Sequence, residues 1–178
     1  MPGKGVIMDS KLSDQDFQKI RLQLIDETDI NNVLNIITEW HTNKDINYLH
    51  QWAGVKYEFP ITVDMFKMEG AYLYKIIVNE TNEMIGIIQL TQRRIISKFL
   101  IKEEFTGKGY GKVALDKIIR IAFTEFRATK LLLGVSVTNA RAINLYHGFG
   151  FRKIAEYANI DMPTYEMSLD IKDFISLS

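Results

Sequence analysis

The chain contains no cysteine. That excludes disulfides, thiolate metal sites and a covalent cysteine nucleophile, and it fits a reducing, cytoplasmic setting. It has no excess charge of either sign: 22 Lys+Arg balance 22 Asp+Glu, and the sequence pI is about 6.8. No global positive field draws it to nucleic acid or anionic lipid, so neither nucleic acid nor membrane is expected as a partner. No apolar run approaches the ~18 residues of a membrane span. Met1 to Ser10 lacks the roughly 7–15-residue apolar core of a secretory signal. The histidines, His41, His50 and His147, show no His-x-x-x-His spacing, so no metal is expected. With 3 Pro and 11 Gly the chain is neither collagen-like nor low-complexity. What remains is 178 residues at 47% hydrophobic and 25% charged, the make-up of one globular domain. Such a length buries a core without a disulfide or metal staple.

Met1 to Phe17 is polar, holds Pro2, Gly3 and Gly5, and shows no period, so residues 1–18 read as a flexible tail ahead of a domain at 19–178. Ile20, Leu22 and Leu24 alternate with polar residues as in a half-buried strand. Thr28 is placed to cap a helix whose apolar face carries Ile30, Val33, Leu34, Ile37 and Trp40. Between His41 and Gly70 the pattern is uneven. Thr62 could cap a short helix there. Tyr48, Trp52, Tyr57 and Phe59 either fill a core or line a substrate pocket.

Tyr72–Val78 and Met84–Leu90 flank the turn cluster Asn79-Glu80-Thr81-Asn82-Glu83 and form a hairpin. A third strand, Ile95–Ile101, leads to Gly107, Gly109 and Gly111, then to a helix with Leu115, Ile118, Ile119, Ala122, Phe123 and Phe126 inward. Leu131–Val137 reads as a strand buried on both faces. Strand, glycine turn, helix and strand make a βαβ unit with parallel strands. Asn139 caps a second helix bearing Ala142, Leu145, Tyr146 and Phe149, and two strands close the chain. The order is β-α-(α)-β-β-β-α-β-α-β-β, a mixed α/β sheet in a single domain.

The glycines allow positive φ and close backbone approach to a ligand, and a helix start offers unpaired N–H groups and partial positive charge. With Lys108 and Lys112 beside them, they suit a phosphate or pyrophosphate. A P-loop would need Gly where Thr106 stands and Ser or Thr where Val113 stands. A dinucleotide fingerprint would need Gly where Lys112 stands. Neither spacing is met.

Thr106-Gly107-Lys108-Gly109-Tyr110-Gly111 resembles the Arg/Gln-x-x-Gly-x-Gly/Ala motif of the GNAT superfamily of acyl-CoA-dependent N-acetyltransferases, with Thr in the first place. Val137-Thr138-Asn139-Ala140-Arg141-Ala142-Ile143-Asn144-Leu145-Tyr146, then Gly148-Phe149, resembles its next motif, Asn-x-x-Ala-x-x-x-Tyr followed by Gly-Phe. The order of elements agrees from about Lys19 to Asp170. The resemblance implies a central sheet whose parallel strands splay apart, and acetyl-CoA as co-substrate. Its pyrophosphate would lie on the backbone of Thr106, Gly107, Lys108, Gly109, Tyr110, Gly111 and Lys112. Its pantetheine arm would pair with Phe99, Leu100 and Ile101 and reach Asn139 and Ala142. Tyr146 would approach the thioester sulfur as general acid.

Acetyl transfer needs a neutral amine, and a lysine-like amine has pKa ~10.4, so a base must take its proton. Glu39, His41, Glu58, Glu103 and His147 are open candidates. Without cysteine, direct attack in a ternary complex is expected rather than an acetyl-cysteine enzyme. The expected acceptor is a primary amine of a small molecule. The alternatives are a protein N-terminus or lysine, or a non-catalytic acyl-CoA-binding module. The expected assembly is a monomer or homodimer.

Overall fold

The computed structural model describes residues 12–67, 70–158 and 161–176. Residues 1–11 of the expected tail lie outside the described residues. Its end is folded: α1 (Asp14–Phe17) is capped by Ser13, whose Oγ accepts from the Asp16 N–H at 3.1 Å. The Lys117 ammonium lies 3.5 Å from the centre of the Phe17 ring. That cation–π contact gives an otherwise polar segment a place on the domain.

After β1 (Ile20–Leu24) comes α2 (Ile30–Trp40). Thr28 does not cap it. Asp26 Oδ1 accepts from the N–H groups of Thr28 and Asp29 at 2.9 and 3.0 Å, and the Thr28 hydroxyl donates to the same oxygen. Asp26 thus ties the Thr28 hydroxyl into the turn before the helix, and the N-cap residue, Asp29, makes no side-chain cap bond. The uneven stretch that follows contains a full helix, α3 (Ile46–Ala53). Asp45 accepts from the Tyr48 N–H at 3.0 Å to start it, and Gly54 at φ 104° ends it. Thr62 precedes a single 3₁₀ turn, Val63–Met65, and makes no side-chain cap bond.

The remaining elements are β2 (Ala71–Val78), β3 (Met84–Thr91), β4 (Ile95–Ile101), α4 (Tyr110–Thr124), β5 (Lys130–Ser136), α5 (Ala140–Gly148), β6 (Arg152–Tyr157), β7 (Thr164–Asp170) and α6 (Ile171–Ser176). The seven strands run in the order β1-β2-β3-β4-β5-β7-β6. Every neighbouring pair is antiparallel except β4 and β5, the expected parallel pair. One apolar cluster joins Leu115, Ile118 and Ile119 of α4 to Ile76, Ile88 and Leu90 of the sheet. A second joins Val33 and Ile37 of α2 and Leu49 and Trp52 of α3 to Leu73, Ile87 and Leu100. Helices on both faces explain why β3 is buried along nearly its whole length.

Two irregularities shape the centre. In the β3–β4 register Ile87 pairs with Leu100 but Gln89 with Ser97, so Lys98 and Phe99 together face the one residue Ile88. This is a β-bulge, and Lys98 takes φ 49° within it. On its other edge β4 pairs with β5 only at Ile95–Leu132 and Ile96–Leu133. Beyond those pairs the strands part. The expectation that β5 is buried on both faces is corrected here: Leu132 is half-buried, and Gly134 is exposed because the parting of the strands opens a cleft beside it.

Under α3 sits a polar pair. His41 is buried, its Nδ1–H donates to the Ile37 carbonyl at 2.7 Å, and Trp52 Nε1–H donates to its Nε2 at 2.9 Å. Burial holds the imidazole below its ordinary pKa, against a smaller opposing pull from the Ile37 carbonyl. A depressed folded pKa means that the unfolded chain binds the proton first. Its contribution is therefore present above the ordinary histidine value of ~6.5 and is lost as pH falls through the folded pKa. Urea denaturation at about pH 8 and about pH 5.5 should show stability falling on acidification, with a shallower fall in His41→Asn.

Candidate active site

The parting of β4 and β5 opens two spaces. On one side, between the end of β4, the glycine turn and α5, is a cleft of about 540 Å³. On the other, under α3 and the β6–β7 connection, is a cavity of about 290 Å³. They share Gln51, Trp52, Phe99, Gly134, Val135 and Tyr146 as walls, so the two spaces meet at Tyr146 and the bulge.

The glycine turn closes the outer end of the larger cleft. Gly107 at φ 77° and Gly109 at φ 87° take the left-handed conformation, and Gly109 is the N-cap of α4. The first α4 N–H groups have no partner within the helix. A Cβ on Gly111 would meet Phe99 and Ile101 at 3.7 and 3.8 Å, so glycine there keeps a strip open between α4 and β4. Thr106, Gly107, Gly109, Gly111 and Lys112 line the cleft. The Thr106 hydroxyl donates to the Glu103 carbonyl at 2.7 Å, so this side chain is engaged in the turn. Lys108 and Tyr110 are not on the wall: they pack against the Phe105 ring, 5.5 and 5.7 Å from its centre. Arg141, which the sequence reading passed over, is on the wall, its guanidinium 3.1 Å from where a Gly107 Cβ would stand. Its position two residues after the Asn139 cap, on the first turn of α5, was the available signal.

Phe99, Leu100 and Ile101 form the β4 side of the cleft, and Asn139, Ala142 and Tyr146 the α5 side. Asn139 Oδ1 accepts from the Ala142 N–H at 3.1 Å, which spends its oxygen on the cap and leaves its amide NH₂ as donor. Tyr146 is 7% exposed, its ring edge-on to Phe151 at 5.8 Å. Burial pushes its phenol pKa far up, so the hydroxyl stays protonated.

The candidate bases separate by position. Both ring nitrogens of His41 are engaged. Glu39 and Glu58 are exposed and lie on neither wall. Glu103 borders the larger cleft and is ion-paired with Lys44. His147 is exposed and bonds the Phe151 carbonyl at 3.0 Å. His50, absent from that set, lines the smaller cavity, and its Nε2 bonds the Tyr57 carbonyl at 3.0 Å. Of the aromatics, Trp52 serves both readings, buried in a core yet bordering both spaces. Tyr48 borders the larger, whereas Tyr57 and Phe59 border neither. Among the described residues there is no cluster of three or more His, Cys, Asp or Glu able to hold a metal, and no helix is long and apolar enough to cross a membrane.

The sequence is 22% identical over 142 residues to the spermidine N(1)-acetyltransferase of Vibrio cholerae serotype O1, covering 75% of this chain and 79% of that protein. It is 33% identical over 57 residues to the spermine/spermidine N(1)-acetyltransferase of Bacillus subtilis, covering 32% and 38% of the two. The fold matches that of spermidine N-acetyltransferase from Vibrio cholerae in complex with CoA and spermine, with TM-score 0.69 and 16% identity over 88% of this chain and 98% of that one. It also matches a dodecameric structure of that enzyme, with TM-score 0.66 and 18% identity over 90% and 98%. Residues 33–151 match the Acetyltransferase (GNAT) family, and the chain belongs to that family of acetyltransferases.

Proposed function

We propose that residues 19–178 form an N-acetyltransferase domain that moves an acetyl group from acetyl-CoA directly to the primary amine of a small molecule. The observation that carries this reading is the meeting of two spaces at Tyr146 and the Phe99 bulge. The larger, with the α4 start, Lys112 and Arg141 at its mouth, suits a pyrophosphate and the arm behind it. The smaller, about 290 Å³, has the size of a small amine rather than a folded chain. The named relatives act on spermidine or spermine, which are small amines.

Acetyl-CoA brings an activated acetyl group: its C–S bond breaks as a C–N bond to the amine forms. The chain's residues manage the charge and protons of that exchange. The bulge interrupts the β3–β4 ladder, so we assign a backbone N–H at Phe99 or its neighbour to the charge that develops on the carbonyl oxygen. In other enzymes one such donor is worth roughly 2.7–4 kcal/mol. Holding amine and thioester together contributes up to ~7–11 kcal/mol. The Tyr146 hydroxyl donates its proton to the departing sulfur. His50 takes the ammonium proton: with Nε2–H given to the Tyr57 carbonyl, Nδ1 is left as acceptor.

Three variants test these roles. Gly109→Asp places a negative charge at the α4 start, while Gly109→Asn has the same shape and the same left-handed backbone demand. By calorimetry the Asp variant should bind acetyl-CoA at least about tenfold more weakly than the Asn variant, with the gap narrowing in salt. Equal affinities would remove the pyrophosphate from this turn. Tyr146→Phe should lower the single-turnover rate by ~10²–10⁴-fold at nearly unchanged melting temperature and acetyl-CoA affinity. A wild-type rate would reduce Tyr146 to packing. His50→Gln should lower kcat/KM at neutral pH, the deficit shrinking as pH approaches the amine's own pKa of ~10.4. A deficit constant with pH would make His50 structural.

A further inference from the structure

The walls of the smaller cavity have an unusual charge. Its polar side chains include His50, Gln51, Ser97, Ser136 and Thr164, and among the described residues it is lined by no Asp or Glu. The one side chain of fixed charge on the wall is Lys98, and it is 5% exposed. Its Nζ donates at 3.3 Å to the carbonyl of Ala53, a residue that also lines the cavity, and lies 4.0 Å from the centre of the Tyr57 ring. Among the described residues no carboxylate stands within ion-pair distance of it; the other charge by the Tyr57 ring is the like charge of Lys56, 4.9 Å from its centre. Burying an ammonium without a counter-charge is costly. So is the left-handed backbone at φ 49° that a lysine adopts here. Burial and Lys56 disfavour the charged lysine, while the Tyr57 hydroxyl favours it. An anion entering the cavity would supply the missing counter-charge and would form a charge-assisted hydrogen bond.

Resting on the acetyltransferase reading above, we infer that the acceptor is an amine that also carries an anionic group, a carboxylate or a phosphate, and that Lys98 binds that group. Lys98 thereby sets specificity. A polyamine, cationic along its length, meets a wall with a lysine and no carboxylate. Coulomb repulsion in a site of reduced dielectric selects against it. The inference gives this chain a different acceptor class from that of the polyamine acetyltransferases it resembles.

The test uses matched pairs: α-amino acids against the amines left by their decarboxylation (ornithine and putrescine, tyrosine and tyramine), and phosphoethanolamine against ethanolamine. For each pair kcat/KM is measured with wild type, Lys98→Arg and Lys98→Met, with Lys98→Gln in reserve should Met not fold. The expected result is a preference for the anionic member of roughly tenfold or more, the effect of one charged hydrogen bond. The Arg variant keeps it, and the Met or Gln variant loses it through a higher KM for the anionic member alone. The carboxylate and phosphate arms separate the two anions. Preference for the cationic member, or equal losses on both members, overturns the inference and assigns Lys98 to proton transfer or packing. Calorimetry of N-acetyl amino acids against their amides reads the same contact without turnover. If no amine is acetylated yet the N-acetyl acid binds through Lys98, the acetyltransfer reading fails and the anion site stands. If acetylation proceeds and Lys98 makes no difference to either readout, the anion site fails and the acetyltransfer reading stands.

Discussion

Two residue pairs hold β4 to β5 in parallel, and the strands then part. A central sheet gains its stability from continuous ladders, so stopping one short leaves backbone groups and side chains facing a gap in the middle of the protein. The surrounding structure accommodates that gap. The bulge at Lys98 and Phe99 turns β4 away from its neighbour. Helix α4 starts beyond its end with left-handed glycines, and α5 sets Tyr146 across it. Outside the gap the packing is tight: β3 is covered on both faces, and β5 regains a full seven-pair ladder with β7.

The far rim is held by one polar contact. Trp52 borders both spaces and is fixed by its bond to a buried, neutral His41. A histidine with both nitrogens bonded positions the indole but has no nitrogen left to take a substrate proton. His50, two residues before that tryptophan, bonds only the Tyr57 carbonyl and so keeps one nitrogen for the proton role proposed for it. The two walls also differ in charge logic: Lys112 and Arg141 at the mouth of the larger cleft stand near water, whereas Lys98 is enclosed. An enclosed charge discriminates among ligands far more strongly than an exposed one.

Much of this could be read from the residues. Period-two alternation in β1, the turn cluster between β2 and β3, and the apolar face of α4 are local patterns, and local patterns survive into the fold. The glycine turn and Asn139 were readable because a positive φ and a helix cap are met by few residue types. Helix α3 was not, since Asp45 and Gly54 bound only eight residues of mixed polarity between them. The bulge was not readable either: Ile95–Ile101 looks like an uninterrupted strand, and its offset exists only relative to β3. Lys98 therefore read as an ordinary strand lysine, when the bulge and α3 together enclose it. Arg141 and His50 line the two spaces through the packing of distant elements, which spacing along one chain does not reveal.

In the mechanism proposed here, thioester and amine meet at the break between β4 and β5. The crystal structure of the complex with CoA tests it most directly. The pyrophosphate is expected against the backbone of residues 106–112, the arm alongside Phe99 to Ile101, and the sulfur beside the Tyr146 hydroxyl at the junction of the two spaces. A sulfur placed away from Tyr146, or an arm that leaves the gap between β4 and β5 unfilled, would contradict it.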